Sequence, residues 1–140
     1  MRIVMLLASL TLFGTAAAAS SVGPSISRAL FVERNDGGAV SLEPADHLRT
    51  GDKVIIVMQW DQPGRTRGFT LASRVPSTLA YQRSGRENVE VSVDGGRKWG
   101  RIGTLKVGSR LASPEDVTDL RWRIPSHGGS GMLTYSAVVR

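Results

Sequence analysis

The sequence predicts an all-β protein, folded as an antiparallel β-sandwich of about seven or eight short strands. Three observations support this fold class. Extended segments with alternating apolar residues follow one another along the chain, turn signals rich in glycine separate them, and no segment has a helical period long enough for a substantial helix. A closed barrel is the alternative topology, because periodicity does not distinguish a barrel from a sandwich.

The first 19 residues have the layout of a secretory signal peptide. Arg2 precedes an apolar run from Ile3 to Phe13, and small residues follow up to an Ala-x-Ala cleavage pattern that ends at Ala19. The run is too short to span a bilayer, and a buried N-terminal helix is the alternative interpretation. We therefore expect residues 1–19 to be removed on export. Residues 20–140 are expected to form one soluble domain that is secreted, in the periplasm, without a further membrane span.

The exported chain would hold 121 of the 140 residues and no cysteine, so its stability must come from an ordinary hydrophobic core. Arg2 leaves with the signal peptide. The remaining 17 basic and 12 acidic residues give a net charge of +5. Such a charge suits an anionic envelope polymer, for example lipopolysaccharide or an acidic glycan. The basic residues are scattered, however, with no run longer than two, which favours an ordinary surface of mixed charge.

The N-terminal half predicts five strands. Ile26–Glu33 alternates and ends at an Asn-Asp-Gly-Gly turn, and a short strand over Ala39–Leu42 follows it. The strand that begins at Val54 and ends at Trp60 is apolar on both faces, so we expect it at the centre of a sheet. After a further turn, the predicted strands are Phe69–Val75 and, beyond Pro76, Leu79–Gln82.

The C-terminal half predicts the remaining strands. Val89–Val93 alternates with polar residues, and a hairpin at Asp94-Gly95-Gly96 leads into a return strand over Lys98–Leu105. Ser113–Asp116 has an N-cap serine, a proline and two acids, which predicts one helical turn. The next predicted strand is Leu120–Ile124, in which Arg121 and Arg123 point outward. A glycine-rich loop precedes the last strand, Leu133–Val139.

The hairpin Ser92-x-Asp94-x-Gly96-x-x-Trp99 is similar to the Asp-box hairpin of sialidase-type propellers. In those folds the aspartate caps the turn amides and the aromatic residue plugs the hairpin. The similarity therefore implies that Asp94 is a turn residue and not a catalytic acid. One such hairpin cannot build a propeller.

Five segments, in order, resemble the conserved repeat domain of bacterial surface proteins, a family of unknown function. They are Leu48–Val54, Val75–Tyr81, Ser92–Trp99, Leu120–Ile124 and the Gly129-Ser-Gly131 hairpin that leads into Leu133–Val139. The resemblance covers residues 40–140 as a single copy. It implies an immunoglobulin-like sandwich of about seven strands in the cell envelope.

Motifs for catalysis are absent from the sequence. His47 and His127 lie 80 positions apart and there is no cysteine, so no metal or cofactor site is indicated. The segment around Ser130 lacks the Gly-x-Ser-x-Gly spacing of a nucleophile elbow, although a Ser-His-Asp triad stays open. Nothing in the sequence places any two of four acidic residues in one cleft: Glu87, Glu90, Asp94 and Glu115. We expect a protein that is not an enzyme.

Two kinds of binding are compatible with the sequence. The first is a structural or protein-interaction module of the envelope that contacts another protein through a sheet edge. The second is a binder of anionic envelope glycan through a basic face, which requires two strand segments to be neighbours. Its candidate residues are Arg97, Lys98, Arg101, Arg121 and Arg123. Trp60, Trp99 and Trp122 would stack on sugar rings only if they faced outward, and their neighbours favour inward positions for all three. A hydrolase is the third hypothesis. Nucleic acid is a poor partner for an exported chain. The sequence does not indicate the oligomeric state.

Overall fold

The computed structural model describes residues 23–62, 67–126 and 129–140, so the predicted signal peptide lies outside the described residues. These ranges contain ten antiparallel strands, one 3₁₀ helix over Pro114–Asp116 and no α-helix. The strands are β1 (Ser25–Asp36), β2 (Ala39–Pro44), β3 (Lys53–Asp61), β4 (Phe69–Arg74), β5 (Leu79–Ser84), β6 (Val89–Ser92), β7 (Lys106–Val107), β8 (Arg110–Leu111), β9 (Asp119–Ile124) and β10 (Gly131–Val139). The predicted all-β class is confirmed. Strands β7 and β8 were not predicted.

The strands form two main sheets and one small ribbon. One sheet has five strands in the order β2-β1-β3-β10-β5, and the other has three in the order β4-β9-β6. Strands β7 and β8 pair with each other. The strand from Lys53 to Asp61 lies in the middle of the larger sheet, which confirms its predicted central position.

The two sheets pack face to face in a sandwich-like arrangement, because alternate residues of both point into one core. Trp122 of β9 stacks on Tyr135 of β10, with ring centroids 6.3 Å apart, and Trp60 of β3 meets the edge of Phe69 of β4 at 6.2 Å. The buried residues from the larger sheet are Val32, Val54, Ile56, Met58, Trp60, Leu79, Tyr81, Leu133, Tyr135 and Ala137. Those from the smaller sheet are Leu71, Val91, Leu120, Trp122 and Ile124.

The aromatic contacts also show how the sheets are offset. Because β9 lies opposite β10 and β4 lies opposite β3, the three-stranded sheet covers β3, β10 and β5. Strands β1 and β2 therefore extend past the covering sheet. Ile26, on the inward face of β1, is accordingly 52% exposed, and every residue of β2 is exposed.

The predicted return strand over Lys98–Leu105 is wrong. Only Gly100 pairs with β6, through two backbone hydrogen bonds to Val91 of 2.8 and 3.0 Å. The cause is Asp94, whose carboxylate accepts hydrogen bonds from the backbone N–H groups of Arg97 and Lys98 at 3.0 and 2.9 Å. The chain therefore forms a turn around this carboxylate and does not continue as a strand paired with β6. Asp94 is thus the turn residue that the Asp-box similarity implied, and the Trp99 indole N–H closes the turn on the Gly96 carbonyl at 2.9 Å.

The other predicted segments are present, with shifted ends. The first strand is longer than predicted, and Val75 and Val93 lie just outside their strands. The helical turn after Ser113 is confirmed as a 3₁₀ helix. Its start is fixed by Asp116, whose carboxylate accepts hydrogen bonds from the Ser113 N–H at 2.8 Å and from the Ser113 hydroxyl at 3.1 Å.

Replacing Gly131 with alanine is expected to destabilise the fold by about 1–3 kcal/mol. A Cβ atom at this position would collide with the indole ring of Trp60, which is held in the core. Urea unfolding measures the loss. Gly23→Ala is the control, because a Cβ there meets nothing within 4 Å. Equal unfolding midpoints for the two variants would show that the approach of β10 to Trp60 does not constrain the fold.

The Asp94 turn predicts a pH-dependent contribution to stability. The N–H of Lys98 and the Ser92 hydroxyl are the chief causes that hold the pKa of Asp94 below its usual value of 3.8. A carboxyl whose pKa is lowered by folding stabilises the protein above its unfolded pKa, and this contribution disappears as the pH falls through the folded pKa. We therefore expect Asp94→Asn to lower the urea midpoint at pH 7. The difference from the wild type should shrink as the pH falls below about 4.

Asp36→Asn is the matched control for this measurement, because Asp36 is an exposed aspartate in another turn that precedes two glycines. Its midpoint should follow the wild type at every pH. A constant difference between Asp94→Asn and the wild type down to about pH 2 would contradict the linkage.

Candidate interaction surface

The outer face of the five-stranded sheet, which points away from the core, carries a band of apolar side chains. Phe31, Ile55, Val57 and Val138 are partly exposed there. Three larger side chains on the same face are more than half exposed: Val40 at 63%, Leu42 at 53% and Met132 at 52%. We call these seven residues the apolar face. Apolar side chains concentrated on one sheet face are typical of a binding surface.

A polar notch adjoins the apolar face, where β10 makes a bulge between Ser136 and Ala137. Lys53 binds Glu33 at 2.9 Å on one side of it, and Arg83 lines the other. The notch has a volume of about 320 Å³. The Ser136 hydroxyl is buried beside it and makes no hydrogen bond within the described part of the chain.

Strand β2 forms the free edge of this sheet, because it pairs with β1 on one side only. Just after β2, the Ala45 N–H donates to the Leu30 carbonyl of β1 at 3.2 Å. Backbone groups alternate in direction along an antiparallel strand, so residues 39, 41 and 43 also bond toward β1. Val40 and Leu42 therefore point their N–H and C=O groups away from the sheet. Pro44 has no N–H to offer.

Two of the other sheet edges are occupied. The 3₁₀ segment lies beside β5, where Arg140 donates to the carbonyls of Glu115 at 2.6 Å and Leu79 at 3.3 Å. The Gly100 bridge protects β6. Strand β4 pairs only with β9, but the side chains on its outward face are Thr70, Ala72 and Arg74. Among the described strands of the two main sheets, β2 alone combines a free edge with an apolar face.

Three of the five predicted ligand-binding residues come together on the outer face of the three-stranded sheet. Arg121 donates to the Glu90 carboxylate at 2.7 Å, and its guanidinium lies 4.4 Å from the ring centroid of Trp99. The pKa of Glu90 is lowered, chiefly by the hydrogen bond from Arg121 and, less strongly, by the charges of Arg121, Arg123 and Arg101. These three arginines with Glu90 carry a net charge of +2.

The other two predicted residues, Arg97 and Lys98, lie in the turn around Asp94. They contribute their backbone N–H groups to that turn and leave their side chains exposed. The prediction that all three tryptophans point inward is wrong for Trp99, which is partly exposed, whereas Trp60 and Trp122 are buried. One face of Trp99 is taken by Arg121, so the aromatic surface left for a sugar ring is small.

Of the groups considered for catalysis, the structure describes Ser130 and His47 but not His127. The Ser130 hydroxyl donates to the Asp61 carboxylate, beside a groove of about 600 Å³ that Trp60 and Met132 also line. His127 lies outside the described residues, so a triad with Ser130 is not tested, and His47 is exposed. Within residues 23–62, 67–126 and 129–140, no three His, Cys, Asp or Glu side chains cluster as metal ligands.

Comparison with known proteins gives no matching family model, curated protein or solved structure. None of the segments that the structure describes is a helix of the length and hydrophobicity needed to cross a membrane. Function must therefore be inferred from the surface of the molecule itself.

Sequence reasoning missed the free edge of β2. The alternation of Val40 and Leu42 with Ser41 and Glu43 was a usable signal that one face of this strand is apolar. Which edge of the sheet stays open depends on the order of strands that are distant in the chain, and a local pattern does not contain that information.

Arg121 is expected to stabilise the fold. Arg121→Ala should lower the free energy of unfolding by about 1 kcal/mol, which is the usual size of a partly exposed stack on an indole combined with a partly exposed ion pair. Urea unfolding measures the loss, and the emission of Trp99 should shift as its covered face becomes hydrated. Arg123→Ala, at an exposed position on the same strand, is the control and should change stability by less than about 0.5 kcal/mol. Equal losses for both variants would mean that the stack on Trp99 is not stabilising.

Proposed function

We propose that this protein is an exported bacterial envelope protein that acts as a structural or protein-interaction module, and that its β2 edge accepts a strand from a partner protein. The observation that carries this proposal is the free edge at Val40 and Leu42 beside the apolar face. The partner's main chain would extend the sheet, and its alternate side chains would lie on the apolar face.

The chemistry of β2 favours pairing. Proteins commonly protect exposed edges with lysine, an inward charge or a bulge. From Ala39 to Leu42 the strand has none of these features, whereas its end is protected by Glu43, an inward charge opposite Val32, and by Pro44. Four backbone groups, the N–H and C=O of Val40 and of Leu42, are available to an incoming strand.

The envelope location is supported by the signal-peptide layout of residues 1–19 and by the resemblance to the repeat domain of bacterial surface proteins. That resemblance implies an immunoglobulin-like sandwich, and two antiparallel sheets around one core fit this expectation. The proposed role needs only a stable scaffold with an open edge and requires no reactive group.

Binding of an anionic envelope glycan is the second candidate. The charges of Arg101, Arg121 and Arg123 around Glu90 favour it, and Arg97 and Lys98 would add charge from the neighbouring turn. Glu90 already neutralises Arg121, which leaves Arg101 and Arg123 as the exposed charges of the cluster. The edge is therefore the stronger candidate.

Co-sedimentation with isolated envelope material distinguishes the two functions. We expect the exported protein to bind, and binding to persist at about 0.5 M salt, where exposed charges more than a few ångströms apart are screened. Val40→Lys with Leu42→Lys should reduce binding at least about tenfold, because edge lysines oppose strand addition. Ser77→Lys with Gln82→Lys is the matched control. It adds the same charge at exposed positions away from β2 and should bind like the wild type.

Two results would contradict strand addition. One is full binding by the β2 variant. The other is wild-type binding that salt abolishes and that Arg101→Glu with Arg123→Glu also abolishes, which would favour the glycan function.

A further inference from the structure

We infer that the strand that pairs with β2 is β2 of a second copy of this chain, and that the two copies are related by a two-fold axis through Ser41. This inference rests on the proposed function, since both require the β2 edge to accept a strand. It adds the identity of the partner, which in the co-sedimentation experiment is a copy of this chain within the envelope material, and the register of the pair. The two five-stranded sheets would become one continuous antiparallel sheet of ten strands.

The register follows from the backbone groups that β2 leaves free. Two identical antiparallel strands pair around a centre, and hydrogen bonds form only where outward-pointing residues face one another. With the centre at Ser41, Val40 faces the partner's Leu42 and Leu42 faces the partner's Val40. Both residues point their N–H and C=O groups outward, so this register forms four hydrogen bonds across the axis.

The neighbouring registers are poorer. With the centre at Val40, Leu42 would face the partner's Gly38, which lies in the turn with a φ of 97° instead of an extended backbone, and whose N–H already donates to the Asn35 side chain at 3.3 Å. With the centre at Leu42, Val40 would face the partner's Pro44, which has no N–H and whose carbonyl already accepts a hydrogen bond from the Asp46 N–H at 3.1 Å. A centre between two residues would place an outward-pointing residue opposite an inward-pointing one, and the hydrogen bonds would be lost.

The side chains agree with the Ser41-centred register. Val40 and the partner's Leu42 lie on the same side as Phe31, so each apolar face continues across the axis into the other copy. On the opposite side, Ser41 meets the partner's Ser41. Glu43 faces the partner's Ala39, so the two carboxylates of the strands do not oppose each other.

The offset of the sheets leaves space for this dimer. The three-stranded sheet covers β3, β10 and β5, so two uncovered strands of each copy lie between it and the axis. With strands about 4.8 Å apart, the two copies of β3 would be separated by about 24 Å. The covering sheets therefore do not collide.

Cysteine cross-linking tests both the partner and the register, because the chain has no cysteine of its own. Residues at position 41 would form a non-hydrogen-bonded pair with Cα atoms about 4.5 Å apart, a distance that a disulfide accepts. Exported Ser41→Cys protein, treated with oxidised glutathione, should run as a disulfide-linked dimer. Gln82→Cys, exposed on the opposite edge strand, is the control and should cross-link at least tenfold more slowly.

A mixed experiment checks the register independently. Ala39→Cys and Glu43→Cys chains, mixed at equal concentration, should cross-link to each other faster than either does alone, since only the mixture places two cysteines opposite each other. In the unmodified protein, analytical ultracentrifugation should show a concentration-dependent dimer. Val40→Lys with Leu42→Lys should abolish that dimer.

The inference is overturned if Ser41→Cys cross-links no faster than Gln82→Cys, or if the wild type stays monomeric at high concentration. If either result is obtained while Val40→Lys with Leu42→Lys still loses envelope binding, the β2 edge binds a different protein, and the proposed function stands. If Ser41→Cys does cross-link while the lysine variant binds envelope normally, the second-copy inference stands and the envelope partner does not use β2.

Discussion

The stacking of Trp122 on Tyr135 is the contact on which the arrangement of the two sheets depends. Both side chains are fully buried, and each uses its polar atom within the structure. The Trp122 indole N–H donates to Ser84 at 3.2 Å, and the Tyr135 hydroxyl accepts from Arg28 at 3.0 Å. Buried aromatic residues with a polar group satisfied in this way are held in one position. The stack therefore fixes β9 opposite β10 and determines which strands of the larger sheet are covered.

The surface of the protein follows from that offset. Val32 of β1 is buried in the core, and Arg28 spans the inward side of the same strand to reach Tyr135, so a long polar side chain adds to the apolar contact where the second sheet does not cover β1. Strand β2 lies one strand further out and has only β1 to pair with. An exposed edge with apolar side chains is a liability for a soluble protein unless a partner covers it. The edge of β2 is thus explained most simply as a binding feature.

Local sequence patterns predicted most of the fold, because the inward-pointing residues of β3, β9 and β10 are mostly apolar and recur at every second position. Lys98–Leu105 was predicted wrongly, since the capture of two backbone N–H groups by Asp94 outweighed the strand propensity of the segment. The apolar outer residues Ile55 and Val57 correctly placed β3 at the centre of a sheet, but they do not show whether a second layer covers them. The free edge at Val40 and Leu42 depends on strand order, which is a long-range property of the fold.

The short length of β2 determines how many copies its open edge is able to join. The glycine turn at Gly37 and Gly38 ends the strand on one side, and Pro44 removes the next donor on the other, so only a short segment is able to pair. A two-fold pairing uses this segment completely in both copies, and such an interface closes on itself. The opposite edge of the same sheet, at β5, is occupied by the 3₁₀ segment and Arg140, so a further copy cannot extend this sheet from that side. Growth into a fibre is therefore opposed by the same features that permit one defined pair.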